Sequence, residues 1–142
     1  MSQVTAAELD AFLRAEFPQS RPERYTIETI DDGFVCLRRR VDADDLRPGG
    51  TISGPVLMAV GDMAAYLVVL AAIGLVPLAV TTDLTAHFLR RPAPGADLIA
   101  EARLLKCGQK LAVAEVVIRS DGLADGPVAH VVATYAIPPG RT

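Results

Sequence analysis

The chain has 142 residues, of which 51% are hydrophobic and 22% are charged, and its formal net charge is −3. This composition suffices for a hydrophobic core, and we expect residues 1–142 to form a single domain. The mild negative charge gives no overall attraction to nucleic acid, which we exclude as an expected partner. The two cysteines lack the spacing of a disulfide framework or a zinc site, and the start of the sequence lacks the pattern of a secretory signal. We therefore expect a cytoplasmic protein with reduced thiols.

An amphipathic helix is predicted near the N-terminus, over about residues 5–17. Thr5 and Glu8 have the spacing of a capping box, in which each residue bonds the backbone of the other. Apolar side chains then recur at helical intervals and would form one buried face. Pro18 is expected to end the helix, because proline cannot continue an α-helix without breaking its hydrogen bonds.

A β-hairpin is predicted next, from two strand-like segments at 24–31 and 33–41. Between them lies the dipeptide Asp32-Gly33, which is typical of a tight hairpin turn. Three consecutive arginines, at 38–40, fall in the second strand. We expect their side chains to alternate along a strand edge and to be mostly solvated.

A long helix is predicted over about 55–73, after a loop rich in Asp, Pro and Gly. Pro55 suits its first turn, where a backbone N–H would lack an intrahelical partner. The helix is apolar nearly all round, which indicates burial on most faces. The uncharged run from 63 to 80 approaches the length of a membrane span, but Gly74 and Pro77 interrupt it and amphipathic strands follow. We therefore expect a core helix and no membrane.

Four strand-like segments follow this helix, at about 79–90, 97–106, 110–119 and 127–137, and each is bounded by Gly, Pro or Asp-Gly. Residues in the second of them alternate between two faces, which is typical of a half-buried strand. The short connections favour a meander of antiparallel neighbours. The predicted fold class is thus α+β, with a curled antiparallel sheet wrapped around one long helix.

Asp62 is the single charged residue of the predicted central helix. A carboxylate in such apolar surroundings should be paired, neutralised or used in chemistry, because burying an isolated charge is unfavourable. One interpretation makes it a structural anchor, bonded to Thr81, Thr82 or backbone N–H groups. Another makes it a base or nucleophile. The unpaired N–H groups at the start of the same helix, near Gly54, could bind a developing oxyanion.

The segments SGPVLMAVGDMAAY, VTTDLTAHFLRRPAPGADLIAEARLLKCGQKLAVAEV and AHVVATYAI resemble the hotdog-fold thioesterases, in particular the phenylacetic-acid-type (PaaI-like) acyl-CoA thioesterases. The resemblance implies a hotdog fold and the hydrolysis of an acyl-CoA thioester. It makes Asp62 the nucleophile or general base, Gly54 the donor that polarises the thioester carbonyl, and Thr81 a supporting hydroxyl. Ser53 and Pro55 occupy the positions of the family's His and second Gly.

Further residues are expected to bind the substrate. Ser53, Pro55 and Tyr66 are expected to line its site, although a simple helix cap also explains Ser53. Basic side chains could meet the phosphates of coenzyme A, and the candidates are Arg90, Arg91 and Lys110. The two histidines, His87 and His130, have no metal-ligand partners at useful spacing. We expect no metal and no cofactor beyond the coenzyme A of the substrate.

The spacing of Gly54 and Asp62 predicts a site shared between subunits. Eight helical residues separate them, or roughly 12 Å at a rise of about 1.5 Å per residue. One chain cannot bring both to the same carbonyl, so we expect a homodimer or a dimer of dimers. Two alternatives stay open: a hotdog protein that binds an acyl-CoA or another apolar ligand without turnover, and, less favoured, a hotdog dehydratase or hydratase.

Overall fold

The computed structural model describes residues 2–139, and within them it contains two α-helices and six strands. Both predicted helices and all six predicted strands are present, with ends that differ by a few residues from those expected. In chain order the elements are α1 (Ala6–Glu16), β1 (Tyr25–Asp31), β2 (Phe34–Arg39), α2 (Gly54–Ile73), β3 (Val80–Phe88), β4 (Leu98–Cys107), β5 (Leu111–Ser120) and β6 (Ala129–Ala136).

The strands form one antiparallel sheet in the order β1-β2-β4-β5-β6-β3. The meander predicted from the short connections is therefore wrong for β3 and β4, which are not neighbours. The segment 89–97 between them contains two prolines, which do not suit a tight hairpin turn. It bonds instead to the strands that lie between them: Leu89 N donates to Val128 O, just before β6, and Ala93 N donates to Ser120 Oγ, at the end of β5, at 2.8 Å. These bonds guide the chain across the curled sheet.

The helix α2 lies against the sheet and forms the core, as predicted. Every residue from Ala64 to Ala71 is buried. The packing is closest at Gly61, where an added Cβ would lie 2.7 Å from Val131 Cγ2 on β6. By length and composition α2 could cross a membrane, but 67% of its apolar window is buried within the structure. Its apolar faces are covered by the protein's own sheet. This arrangement is the predicted hotdog fold.

The N-terminal helix α1 packs on the same core. Both capping-box bonds are present, from Glu8 N to Thr5 Oγ1 at 3.1 Å and from Thr5 N to Glu8 Oε1 at 2.9 Å. Its buried face carries Leu9, Phe12 and Leu13. After the helix, two short 3-10 turns at Pro18–Ser20 and Pro22–Arg24 lead into β1. These turns were not predicted.

The three consecutive arginines differ from the prediction, because β2 lies between β1 and β4 and is not an edge strand. Arg39 is 8% exposed, and its guanidinium donates two hydrogen bonds of 2.8 Å to the two carboxylate oxygens of the buried Asp45. Arg38 is half-buried and bonds to three carboxylates, those of Glu28, Asp97 and Asp121. Only Arg40 is as exposed as expected.

Candidate functional site

Asp62 lies on α2 with its side chain half-buried at the wall of a cavity. Two hydroxyl groups donate to the same carboxylate oxygen, Oδ1: Thr81 Oγ1 at 2.7 Å and the Tyr135 hydroxyl at 2.5 Å. Within residues 2–139 no hydrogen bond reaches Oδ2. One oxygen of the carboxylate is thus held in place, while the other has no hydrogen-bond partner among these residues.

Thr81 and Tyr135 meet Asp62 because they are directly paired across β3 and β6. A bulge in β3 between Thr81 and Asp83 shifts the register at this point, and such bulges redirect side chains near functional sites. Tyr135 is 2% exposed, and its pKa is raised mainly by burial and further by the nearby charge of Asp62. The Tyr135 hydroxyl therefore remains protonated and can only donate to the carboxylate.

Sequence reasoning identified Thr81 but missed Tyr135. The sequence shows Tyr135 as an aromatic residue at an inward position of the last strand, and most such residues simply fill the core. Only the pairing of β6 with β3 brings it to Asp62, and that pairing was not predicted. The bond from Thr81 agrees with the anchor interpretation of Asp62 as well as with the functional one.

The cavity beside Asp62 has a volume of about 480 Å³ and walls that are largely aromatic and apolar. Tyr66, one turn after Asp62 on α2, stacks on Tyr135 with ring centroids 5.8 Å apart. Its hydroxyl donates to Pro77 O at 3.3 Å. The structure thus places Tyr66 beside Asp62, where the sequence analysis expected it to line the site. The size and lining suit an apolar group of a small-molecule ligand.

The start of α2 presents one free amide. Ser53 caps the helix, since its Oγ accepts from Val56 N at 3.3 Å, and its carbonyl accepts from Leu57 N at 3.2 Å. Pro55 has no N–H to offer. Gly54 N–H is consequently the one first-turn amide that has no acceptor among the described residues. It lies at the positive end of the helix dipole, where a developing negative charge is stabilised.

A second cavity, of about 930 Å³, opens at this helix start. Gly54 and Pro55 line it together with three arginines, Arg47, Arg90 and Arg91. Arg90 also donates from Nη1 to Pro127 O at 2.9 Å, which fixes one of its two terminal nitrogens. Two of the residues assigned to coenzyme A are therefore gathered beside Gly54. Lys110 lies outside this group, in the turn between β4 and β5, and lines neither cavity.

Asp62 and Gly54 open into different cavities, and no lining residue is common to the two. Together with their separation along α2, this means that one chain does not bring them to one carbonyl group. The strand β3 runs along the sheet edge with β6 as its one strand neighbour in residues 2–139. Its side chains are mostly exposed, including two large apolar ones, Val80 at 52% and Phe88 at 52%.

The remaining candidates lie apart from both cavities. His130 Nε2 is 2.9 Å from Glu115 Oε1, and His87 is paired with His130 across β3 and β6. No cluster of three or more His, Cys, Asp or Glu side chains suitable for a metal ion occurs in the part of the chain that the structure describes. Both cysteines are free thiols.

Comparison with known proteins gives a consistent result. Residues 49–126 match the family model described as the thioesterase superfamily, and they include Gly54, Asp62 and Thr81. No curated protein matches the chain. A proposed thioesterase from Silicibacter sp. TM1040 is 40% identical, covers 98% of this chain and 95% of its own, and superposes with a TM-score of 0.88.

Two more distant structures share the fold. A variant of the phenylacetic acid degradation protein PaaI from Thermus thermophilus is 23% identical, with a TM-score of 0.71 over 90% of this chain and 99% of its own. A hypothetical thioesterase from Streptococcus pneumoniae, solved with coenzyme A, is 21% identical, with a TM-score of 0.73 over 97% of this chain and 100% of its own. The family model and the Silicibacter relative confirm the resemblance to thioesterases seen in the sequence, and these two structures confirm the fold.

Proposed function

Because the chain belongs to the thioesterase superfamily, and is therefore a thioester hydrolase, we propose that it hydrolyses acyl-CoA thioesters with Asp62 as the reacting carboxylate. The observation that carries this proposal is the arrangement of Asp62: its Oδ1 accepts from two hydroxyls, its Oδ2 accepts no hydrogen bond from residues 2–139, and the residue lines a largely apolar cavity. The anchor interpretation explains the bonds to Oδ1 but assigns no role to Oδ2.

The reaction needs only water as a second reactant. Asp62 Oδ2 removes a proton from a water molecule, which attacks the thioester carbonyl, or Oδ2 attacks that carbonyl itself and water then hydrolyses the acyl intermediate. In both cases the C–S bond breaks, the thiolate leaves and is protonated, and the products are a carboxylic acid and free coenzyme A. Thr81 and Tyr135 keep the carboxylate oriented during these steps.

Gly54 N–H is the proposed donor to the carbonyl oxygen as it becomes negative. A backbone donor at a helix start is already oriented, so it stabilises the transition state without reorganising during the reaction. Since Pro55 contributes no N–H, this chain offers one such donor in the first turn. Ser53 is assigned the capping of that turn and Pro55 a place in the substrate-facing wall.

The coenzyme A portion is proposed to bind in the second cavity. Arg47, Arg90 and Arg91 surround Gly54 there, and guanidinium groups bind phosphate through paired hydrogen bonds. The Streptococcus pneumoniae relative was solved with coenzyme A, which supports a similar ligand for this fold. Lys110 would reach the coenzyme only from another subunit.

The complete site is proposed to lie between two subunits, with Asp62 from one and Gly54 from the other. The exposed edge strand β3 offers unpaired backbone groups for a second copy of the chain, and it carries Thr81 next to Asp62. We propose a homodimer, or a dimer of dimers, in the cytoplasm. To test the shared site, Asp62→Asn and Gly54→Pro subunits, each inactive alone, should regain up to one working site per mixed dimer. Isolated mixed dimers without activity would refute it.

The substrate class is tested by release of free thiol from acyl-CoA esters and from the same acyl groups on N-acetylcysteamine. Since the arginines can contact only the coenzyme, we expect kcat/KM to be at least about tenfold higher for the CoA esters. Replacing Arg91 by alanine should reduce that preference, mainly through KM. Equal kcat/KM values for both thiol carriers would contradict the assignment of coenzyme A.

A further inference from the structure

The cavity beside Asp62 is closed on one side by a segment from the N-terminal part of the chain. Glu16, Phe17, Gln19 and Ser20, at the end of α1 and in the turn that follows, line it. Phe17 is the one large apolar side chain among them. Its ring lies edge-on to Tyr66, with centroids 6.4 Å apart and planes at 88°.

A series of three aromatic rings, those of Tyr135, Tyr66 and Phe17, connects Asp62 with this segment. Tyr135 bonds to Asp62, Tyr66 stacks on Tyr135 at 5.8 Å, and Phe17 contacts Tyr66 edge-on. Tyr66 also lies one helical turn after Asp62, or roughly 6 Å along α2. Phe17 lines the same cavity as Asp62 and is connected to it through the contacts of Tyr66 and Tyr135.

Phe17 lines the cavity and is 37% exposed, so its ring is only partly covered by other residues. The helix beneath it is firmly seated, because Leu9 and Leu13 are 0% and 2% exposed. A smaller residue at position 17 would thus open this end of the cavity without removing the anchors that hold α1.

The wall also lies outside the residues that match the family model. That match spans 49–126 and includes Asp62, Thr81 and Gly54, whereas Phe17 precedes it by a long stretch of chain. Of the residues proposed for catalysis, Asp62, Thr81 and Gly54 lie in the matched region, whereas Tyr135, like Phe17, lies outside it. A substitution at Phe17 should leave the hydrogen bonds from Thr81 and Tyr135 to Asp62 in place.

We propose that Phe17 is a specificity-determining residue, whose ring closes the far end of the acyl cavity and limits the length of the acyl group. The inference rests on the proposed function, in which the acyl group occupies the cavity beside Asp62. An acyl chain would extend from Asp62 along Tyr135 and Tyr66 and stop at Phe17. Chains longer than the cavity would meet the ring and bind in a strained or displaced position.

The test compares kcat/KM for straight-chain acyl-CoAs from six to twelve carbons in wild type, Phe17→Ala and Phe17→Trp. Removing a wall of this size should raise the ratio of dodecanoyl to hexanoyl turnover at least about tenfold, since each methylene in an apolar pocket alters discrimination by about tenfold or more. The larger indole should shift the ratio in the opposite direction. Phe34→Ala is the matched control, because Phe34 packs against Arg103 and lines neither cavity.

A second readout separates this inference from the proposed function. Binding of the free carboxylic acids of the same chain lengths, measured by calorimetry, reports the acyl cavity without turnover. A length preference that moves in opposite directions in Phe17→Ala and Phe17→Trp, and stays unchanged in Phe34→Ala, supports the inference in either assay. Unchanged preferences in both Phe17 variants would overturn it. Wild-type protein that binds the acids but hydrolyses no CoA ester would instead overturn the proposed function alone.

Discussion

Replacing Tyr135 by phenylalanine removes one hydroxyl from the site and leaves the ring in place. That hydroxyl has a single hydrogen, which lies between Asp62 O at 2.9 Å and Asp62 Oδ1 at 2.5 Å. A hydrogen bond to a charged group contributes about 1.5–3 kcal/mol. If the bond orients the carboxylate in the transition state, kcat should fall by about 10- to 100-fold. KM should change little, because the hydroxyl is turned towards Asp62 and away from the substrate.

Tyr66→Phe is the matched control for this substitution. It removes a hydroxyl from the same cavity and the same aromatic stack, but that hydroxyl bonds to Pro77 O and not to Asp62. We expect its kcat to stay within about fivefold of wild type, since a neutral hydrogen bond contributes only about 1 kcal/mol. Steady-state kinetics and thermal melting of both variants provide the comparison. Equal losses of kcat in the two variants would refute the special role of Tyr135.

Two further predictions concern stability. Gly61→Ala places a Cβ 2.7 Å from Val131 Cγ2, and such overpacking should lower the free energy of unfolding by about 1–3 kcal/mol. Denaturant unfolding measures this change. An unchanged unfolding midpoint would show that α2 can move away from β6. Asp45→Asn leaves the buried Arg39 without its carboxylate partner and should lower the free energy of unfolding by about 3–5 kcal/mol. Asp44→Asn removes the carboxylate of an exposed ion pair with Arg21 and should have little effect on stability. Hydrogen bonds from Arg24 and Arg21 lower the pKa of Asp44 to about 2, so its small contribution is complete above about pH 4 and lost as pH falls towards 2. The melting temperatures of wild type and Asp44→Asn should converge over that range.

The helices and strands could be predicted because their signals are local. The Thr5–Glu8 capping box, the Asp32-Gly33 turn and the apolar run of α2 each depend on residues close in sequence. The same is true of Gly54 and Asp62, which share one helix. Asp62 stood out as a lone charge, and the start of the helix could be placed from Pro55.

The parts that the sequence did not reveal depend on distant pairing. The position of β3 beside β6 is fixed by long-range contacts, and without it Tyr135 could not be brought to Asp62. The burial of Arg39 could not be predicted for the same reason. The sequence does not show whether a strand is central or at the edge of the sheet, because that depends on its neighbours. Phe17 lies at the end of the predicted first helix, but its place in the cavity wall depends on its contact with Tyr66, which is distant in sequence.

The most direct test of the account is acyl-CoA hydrolysis by Asp62→Asn beside wild type, with thermal melting of both. Asparagine keeps the size of the side chain and can still accept from Thr81 and Tyr135, but it cannot act as a base or form the acyl intermediate. The account predicts that thiol release falls by at least about a thousandfold while the melting temperature stays within a few degrees. Full activity in the variant, or a loss matched by unfolding, would contradict a catalytic Asp62 and leave it a structural anchor.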